Sequence, residues 1–138
     1  MYQYIRKFTQ KYTSGIVDVY RSVGWTSHDN ENVIKIFNAS SHVIIVIKDE
    51  KVVAVTRALS DGVYNAAIYD VVVHSDNQNK GVAAEMLKIL LDEFSSLSCI
   101  HLISTSGNEK FYKKSGFKML KTGMAIYHKS HLEDEYTY

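Results

Sequence analysis

A short polar segment in the middle of the sequence has the composition of an anion-binding loop. Residues 74–81, HSDNQNKG, separate an apolar run from an amphipathic pattern with helical period. The first N–H groups of a helix lack partners within the helix, and the helix dipole makes that end partly positive. Residues 78–81 would direct several such groups at one small volume, and Gly81 would let a ligand approach the backbone. The segment therefore favours a phosphate or pyrophosphate, although an ordinary strand-to-helix turn explains it equally well.

An acidic residue inside an apolar run is the second candidate for chemistry. Asp70 lies within residues 65–74, a run that is largely apolar on both faces. A carboxylate in such a strand needs a compensating role, either as the partner of a neighbouring group or as the proton acceptor of a reaction. Both interpretations of Asp70 stay open, and Tyr69 and His74 are weaker candidates for the same proton transfer.

Hydrophobic periodicity predicts the elements that position these residues. Strands are predicted over residues 2–8, 42–48, 51–59, 65–74, 99–104, 117–120 and 124–128. Helices are predicted over residues 16–25, 81–97 and 107–115. A further helix is predicted to end at residue 37, and residues 27–30 offer the candidates for its N-cap. The order is β-α-α-β-β-β-α-β-α-β-β. The strand-helix-strand unit around 81–97 requires a right-handed crossover, so the fold class is α/β, a mixed sheet with helices on both faces.

Length and composition limit the classes of protein. The 138 residues are expected to form a single domain, 1–138, and the formal net charge of +1 argues against nucleic-acid and membrane partners. The N-terminus does not resemble a signal peptide, no apolar run matches a membrane helix, and the acidic residues 133–135 are expected to be a solvated tail. The single cysteine, Cys99, is expected to be a buried inert thiol in a cytoplasmic protein, and His101 a satisfied core residue.

Two motifs on either side of the strand at 99–104 carry a family resemblance. Residues 78–83, QNKGVA, match Q/R-x-x-G-x-G/A, and residues 111–117, FYKKSGF, match F-Y-x-x-x-G-F at every fixed position. In this order and separation they resemble the pyrophosphate loop and the later signature of the GNAT family of N-acetyltransferases. The predicted element order is also that of the family. Residues 24–26, 58–62 and 68–73 look similar to the small bacterial and chloroplast enzymes of its serotonin N-acetyltransferase-like branch.

The resemblance implies a fold and a cofactor. The fold is a mostly antiparallel sheet of about six to seven strands, and the cofactor is acetyl-CoA or another short acyl-CoA. The pantetheine arm would pair with the main chain of Val71 and Val73, where the fourth and fifth strands splay apart, and the pyrophosphate would bind the loop. The residues implied in cofactor binding are Val71, Val72, Val73, Gln78, Asn79, Lys80, Gly81, Val82, Ala83, Ser106 and Phe111.

The resemblance also implies direct attack of a primary amine on the acyl carbonyl through a tetrahedral intermediate. Tyr112 matches the residue that protonates the leaving thiolate, and Asp70 is the first candidate for the base that deprotonates the amine, a water chain being the alternative. The candidates for the amine site, by position, are Tyr20, Trp25, Thr26 and Tyr64. No metal is implied.

The acceptor and the assembly stay open at this point. A small arylalkylamine, a polyamine, a protein lysine and a protein N-terminus all fit as acceptors, and the resemblance leaves room for a homodimer. Two other functions fit the same sequence: a non-catalytic acyl-CoA-binding sensor or regulatory module, and an interaction protein that keeps the fold without binding CoA. A proton donor at Tyr112 favours the enzyme over the sensor.

Overall fold

The computed structural model of the protein describes residues 1–138, apart from the side chain of Ser130. The chain divides into two compact units, Met1–Leu102 and Ile103–Tyr138. Among the described residues, none of the helices has both the length and the apolar character that crossing a bilayer requires.

The first unit is a five-stranded sheet with three α-helices. The strands are β1 (Gln3–Ile5), β2 (His42–Lys48), β3 (Lys51–Ser60), β4 (Asn65–Val73) and β5 (Cys99–Leu102), and the helices are α1 (Thr13–Ser22), α2 (Asn30–Ala39) and α3 (Val82–Glu93). The spatial order is β1-β2-β3-β4-β5; β1 to β4 pair antiparallel, and β5 pairs parallel to β4. The predicted mixed, mostly antiparallel α/β fold is therefore confirmed, with α3 as the connection between the two parallel strands.

Successive side chains along each strand point to opposite faces of the sheet, and this alternation determines which of them form the core with the helices. Val43 and Ile45 of β2 pack with Ile16 and Tyr20 of α1, whereas Ile44 points to the opposite face of the sheet. All five side chains are buried, at 5% exposure or less. A run such as HVIIVIK is apolar at every interior position because it is covered on both faces.

Local signals in the sequence explain the helix and hairpin ends. Gly24, with φ of 87°, ends α1, and the side chain of Asp29 caps α2 by accepting a hydrogen bond from the N–H of Asn32 at 2.9 Å. Asp49 and Glu50 join β2 to β3 with φ of 50° and 66°. Two consecutive left-handed residues fit the twist of a two-residue hairpin.

The second unit differs from the prediction. It contains two short helices, α4 (Glu109–Lys114) and α5 (Ser130–Tyr136), and the strands predicted at 117–120 and 124–128 are wrong. Met124 and Ile126 in this segment are 96% and 85% exposed. Apolar alternation produces a strand where a neighbouring strand completes its hydrogen bonds, and a hairpin alone is at best marginally stable. The sheet of the first unit accordingly has five strands rather than six or seven.

The acidic residues 133–135 are exposed, as expected, although they lie in α5 rather than in an irregular tail. Two smaller expectations are wrong. Cys99 and His101 are exposed rather than buried. They alternate with half-buried residues along the short strand β5, so an apolar local sequence did not place either side chain inside the core.

Candidate functional site

An irregularity in the central strand β4 shapes the first unit around Asp70. Val55 and Ala58 of β3 are three residues apart, yet their partners on β4, Val72 and Ile68, are four residues apart. One extra residue therefore lies in β4 opposite Thr56, which is a β-bulge. Asp70 lies within it and has φ of 58°, a left-handed conformation that aspartate tolerates better than most residues. The bulge interrupts the alternation of β4, and the Asp70 side chain contacts α1.

Two side chains hold the carboxylate of Asp70 at the same oxygen. The guanidinium Nε of Arg57 donates to Oδ2 at 2.7 Å, and the hydroxyl of Tyr20 donates to Oδ2 at 3.2 Å. The side chains of Arg57 and Asp70 are only 16% and 14% exposed, so this ion pair is shielded from solvent. Burial first, and then the negative charge of Asp70, raise the pKa of Tyr20 well above its ordinary range. Tyr20 therefore stays protonated as a donor.

Aromatic rings from α1 and the segment after it surround Tyr20. The Trp25 ring stacks at 5.6 Å from the Tyr20 ring, and the His28 ring stacks at 4.2 Å. The chain turns back at the end of α1, where the N–H of Trp25 donates to the carbonyl of Tyr20, and this turn brings the rings together. His28 Nδ1 is buried without a hydrogen-bond partner among the described residues.

The amine-site candidates separate into two groups. Tyr20 and Trp25 lie together beside Asp70. Tyr64 precedes β4 at its opposite end, where its carbonyl accepts hydrogen bonds from Ser98 and Cys99, and its side chain is 64% exposed. Thr26 is exposed as well. The structure therefore does not bring Tyr64 to the Asp70 cluster, because a strand carries its two ends far apart.

The edge of β4 that faces β5 is open beyond the first half of the strand. β5 pairs with β4 over Asn65–Ile68 alone, whereas β3 remains paired with β4 as far as Val73. The N–H of His74 donates to the carbonyl of Val53 on the β3 side. Because ladder groups alternate in direction, the main-chain groups of Val73 point away from β3, toward the open edge, and the Gln78 side chain reaches the Val73 carbonyl there. Val71 lies in the bulge, in the part of β4 that β5 leaves unpaired. Val72 is buried and turns its side chain into the core.

The loop after β4 leads into a helix end without a cap. Gly81 is the N-cap of α3 in the left-handed conformation, with φ of 81°, and no side chain caps the helix. The first helical hydrogen bond runs from the N–H of Glu85 to the carbonyl of Gly81, which leaves the N–H groups of Val82, Ala83 and Ala84 without acceptors in the helix. The space where Gly81 lacks a Cβ is empty to 4 Å. This end of α3 can therefore accept an anion.

The other residues of the loop are exposed and irregular. Asn79 has a positive φ of 63°, and both Asn79 and Lys80 are exposed. The side-chain amide of Gln78 turns back and donates to the carbonyl of Val73 at 3.1 Å. That bond ties the loop to the end of β4 and uses one of the main-chain groups on the open edge.

The second unit holds the other predicted residues. Tyr112 lies in α4, with its ring edge-on to Phe111 at 5.0 Å and to Phe117 at 6.0 Å. Gly116, with φ of 100°, ends the helix, and the N–H of Phe117 returns to the carbonyl of Tyr112. Burial raises the pKa of Tyr112, so its hydroxyl keeps its proton at neutral pH.

The polar segment before α4 contains Ser106, which the resemblance implied in cofactor binding. Ser106 is exposed, and its hydroxyl makes no hydrogen bond to any described residue. Its neighbour Asn108 donates one side-chain N–H to the Thr105 hydroxyl, which leaves the second N–H of that amide without a described acceptor. Both side chains can therefore still donate a hydrogen bond.

Arg57 is the residue of this site that sequence reasoning missed. It lies in an apolar strand, and its ion pair with Asp70 spans 13 positions along the chain. A signal was present, because two opposite charges within neighbouring buried strands each need compensation. Without the register of β3 against β4, however, the sequence does not pair them.

The sequence matches one family model over most of its length. The model of the Acetyltransferase (GNAT) family matches residues 5–117. An uncharacterized N-acetyltransferase from Pyropia yezoensis is 34% identical over 102 residues, which are 70% of this chain and 59% of that protein. The matched part of the chain thus spans well under two thirds of the curated relative.

Solved structures agree with the sequence match. A GNAT-family acetyltransferase from Streptococcus pneumoniae superposes with a TM-score of 0.78 at 24% identity, covering 94% of this chain and 100% of that chain. A predicted acetyltransferase from Clostridium acetobutylicum, whose crystal structure is with acetyl-CoA, gives a TM-score of 0.72 at 16% identity, covering 92% of this chain and 96% of that chain. At these identities the likeness concerns the fold.

Proposed function

Since the chain belongs to the GNAT family of acetyltransferases, we propose that it transfers an acetyl group from acetyl-CoA to a primary amine. The observation that carries this proposal is the continuity of two features in the first unit. The open edge of β4 runs directly into the uncapped N-terminus of α3. An extended thioester arm and a pyrophosphate need these two features in this order.

The loop and the start of α3 fit the pyrophosphate of CoA. Free N–H groups at Val82 and Ala83 follow a left-handed glycine with open space above it, and Lys80 adds a positive charge nearby in sequence. The peptide groups of Gln78 and Asn79 belong to the same irregular stretch. Each charge-assisted hydrogen bond contributes about 1.5–3 kcal/mol, so a few of them suffice to anchor the cofactor.

The main chain of β4 would bind the pantetheine arm as an added strand. Val73 carries outward main-chain groups, Val71 is the residue of the bulge that we assign to the same role, and Val72 supports this part of β4 from the core. Gln78 would have to release the carbonyl of Val73 for that group to serve. In the second unit, Ser106 and Phe111 are the residues we assign to the cofactor.

The reaction needs a proton removed from the amine. An alkylammonium has a pKa near ~10.4, so the nitrogen must lose a proton before it attacks the thioester carbonyl. We assign this proton to Asp70, directly or through a water, since Asp70 lies in the part of β4 that β5 leaves unpaired and Arg57 holds its carboxylate in place. The C–N bond then forms, and a main-chain N–H of β4 stabilises the negative oxygen of the tetrahedral intermediate.

The departing sulfur needs a proton as the C–S bond breaks. We assign this proton to the Tyr112 hydroxyl, which burial keeps protonated. Transfer of that proton to sulfur yields the CoA thiol. The nitrogen, which carries a positive charge after the attack, loses its second proton to the Tyr112 phenolate through solvent, and this leaves the neutral amide. We place the reaction in the cytoplasm, where a reducing pool keeps the exposed Cys99 thiol free.

The test measures thiol release from acetyl-CoA with a panel of arylalkylamines, polyamines and lysine peptides. We expect turnover with at least one amine, and a loss of kcat of about 100-fold in Tyr112→Phe, within the range for a general acid. Tyr127→Phe, a change of the same kind in the same unit, is the control and should keep wild-type kcat. Binding of acetyl-CoA without turnover on any amine would instead identify a sensor, and no CoA-dependent rise in melting temperature would identify an interaction protein.

A further inference from the structure

We propose that Arg57 is a positioning residue that, with Tyr20, orients the Asp70 carboxylate so that its Oδ1 alone is offered to the amine. The inference rests on the proposed function, because it concerns the same transfer reaction. It adds a residue outside both sequence motifs, and it assigns different tasks to the two oxygens of one carboxylate.

The hydrogen bonds of Asp70 are distributed unequally. Arg57 and Tyr20 both donate to Oδ2, whereas no described residue donates to Oδ1. The side chain of Asp70 is 14% exposed, and Oδ1 does not belong to the fully enclosed polar atoms without partners. Oδ1 therefore keeps lone pairs that no described residue uses, and it is not fully enclosed by the protein.

The conformation of Asp70 explains why an external clamp is needed. The last side-chain torsion of aspartate has a broad energy profile, so an unrestrained carboxylate rotates and exchanges its two oxygens. The left-handed backbone of Asp70, with φ of 58° inside the bulge, fixes where the side chain begins but not how the carboxylate turns. Two donors converging on one oxygen from β3 and α1 fix that rotation.

Arg57 is itself held in place. Its guanidinium lies over the Tyr69 ring, 5.1 Å from the centroid, and its NH1 group donates to the Ser40 hydroxyl at 3.5 Å. A planar guanidinium can stack on a ring and donate in its own plane at the same time, which the single ammonium of lysine cannot do. The geometry therefore depends on guanidinium and not simply on positive charge.

The experiment compares Arg57→Ala with the wild-type enzyme on the best amine of the panel, with and without millimolar guanidinium chloride. We expect Arg57→Ala to lower kcat by about 10- to 100-fold, because a misoriented Asp70 carboxylate loses part of the rate enhancement that a general base provides. KM for acetyl-CoA should change less than twofold. Guanidinium should restore at least half of the lost activity, and methylammonium at the same concentration should not. Arg21→Ala, at an exposed arginine of α1, is the control and should be neither impaired nor rescued.

A second variant covers the case in which Arg57→Ala fails to fold. Tyr20→Phe removes one donor to Oδ2 and keeps the ring that stacks on Trp25 and His28. We expect it to lower kcat several-fold at unchanged KM for acetyl-CoA.

The outcomes separate the two proposals. Wild-type kcat in a folded Arg57→Ala or Tyr20→Phe variant overturns the positioning role while leaving acetyl transfer intact. A loss of activity that guanidinium does not restore, or that comes from KM for acetyl-CoA, also overturns it. A wild-type protein that releases no thiol with any amine overturns the proposed function, and the positioning role with it.

Discussion

A negative charge placed in the first turn of α3 should stabilise the protein and weaken CoA binding at the same time. Ala84 is exposed and is the third residue of α3, so Ala84→Glu needs no repacking. A glutamate there interacts favourably with the helix dipole and can reach back to the N-cap N–H. The same charge would lie beside the proposed pyrophosphate position. Ala84→Gln has nearly the same shape without the charge and is the matched control.

The two effects differ in sign and in size. The dipole term should raise the free energy of unfolding by about 0.3–1 kcal/mol at low salt. Two unit charges about 7 Å apart repel by about 0.6 kcal/mol in water and about 2 kcal/mol at an effective dielectric constant near 20. For a doubly charged pyrophosphate at an exposed helix end, we expect a total repulsion from the introduced carboxylate of about 1–2 kcal/mol. That repulsion raises the Kd for CoA about 5- to 30-fold.

Calorimetric titration of both variants with CoA and with pantetheine provides the assay, and urea unfolding gives the stability. The Kd for CoA should rise in Ala84→Glu relative to Ala84→Gln, whereas the Kd for pantetheine, which has no phosphate, should be equal in the two. The difference should shrink at 0.5 M salt because exposed charges are screened. Equal CoA affinity of the two variants, together with the expected gain in stability, would refute the placement of the pyrophosphate at this helix end.

Three further predictions concern stability. Because the pKa of Tyr20 is raised above its ordinary value of 10.0, the unfolded chain loses that proton first as the pH increases. Urea unfolding should therefore show stability falling by about 1 kcal/mol per pH unit above pH 10, with a shallower slope in Tyr20→Phe. Gly15→Ala should destabilise by about 1 kcal/mol despite its better helix propensity, because the new Cβ would lie 2.6 Å from Val52 Cγ2 and 2.9 Å from Val52 Cβ. Thermal unfolding should show that Val52→Ala, which removes Cγ2 but keeps Cβ, relieves part of this cost, and purely additive effects of the two changes would contradict the prediction. Glu50→Gly should raise the free energy of unfolding by about 0.5 kcal/mol by removing a side chain at φ of 66°, and a lower urea midpoint would contradict this.

The loop at 78–81 shows how far local sequence could be interpreted. Its order of polar residues, glycine and amphipathic pattern predicted a strand, a turn and a helix, and all three elements are present. Helix starts and left-handed glycines are determined by neighbouring residues, so they are readable from a short window. The lack of a capping side chain on α3 also follows from the local sequence, because the N-cap residue, Gly81, has no side chain.

The last third of the chain shows where such reading failed. The apolar alternation at 117–128 resembled a hairpin, but a strand exists through its partner, and the described structure provides no partner there. The predicted burial of Cys99 and His101 was wrong for a related reason. The apolar pattern of a strand does not determine which of its two faces other elements will cover.

The sequence by itself determined the mixed α/β fold, the left-handed glycine at the uncapped start of α3 and the family resemblance, because each depends on periodicity or on residues close together in the chain. Tertiary structure alone decided what Asp70 touches. Tyr20 is 50 positions from Asp70 and Arg57 is 13 positions away, and both reach the same carboxylate oxygen. That convergence depends on a one-residue bulge in the pairing of β3 with β4. Register across strands is set by the packing of the whole sheet, so no window of the sequence contains it.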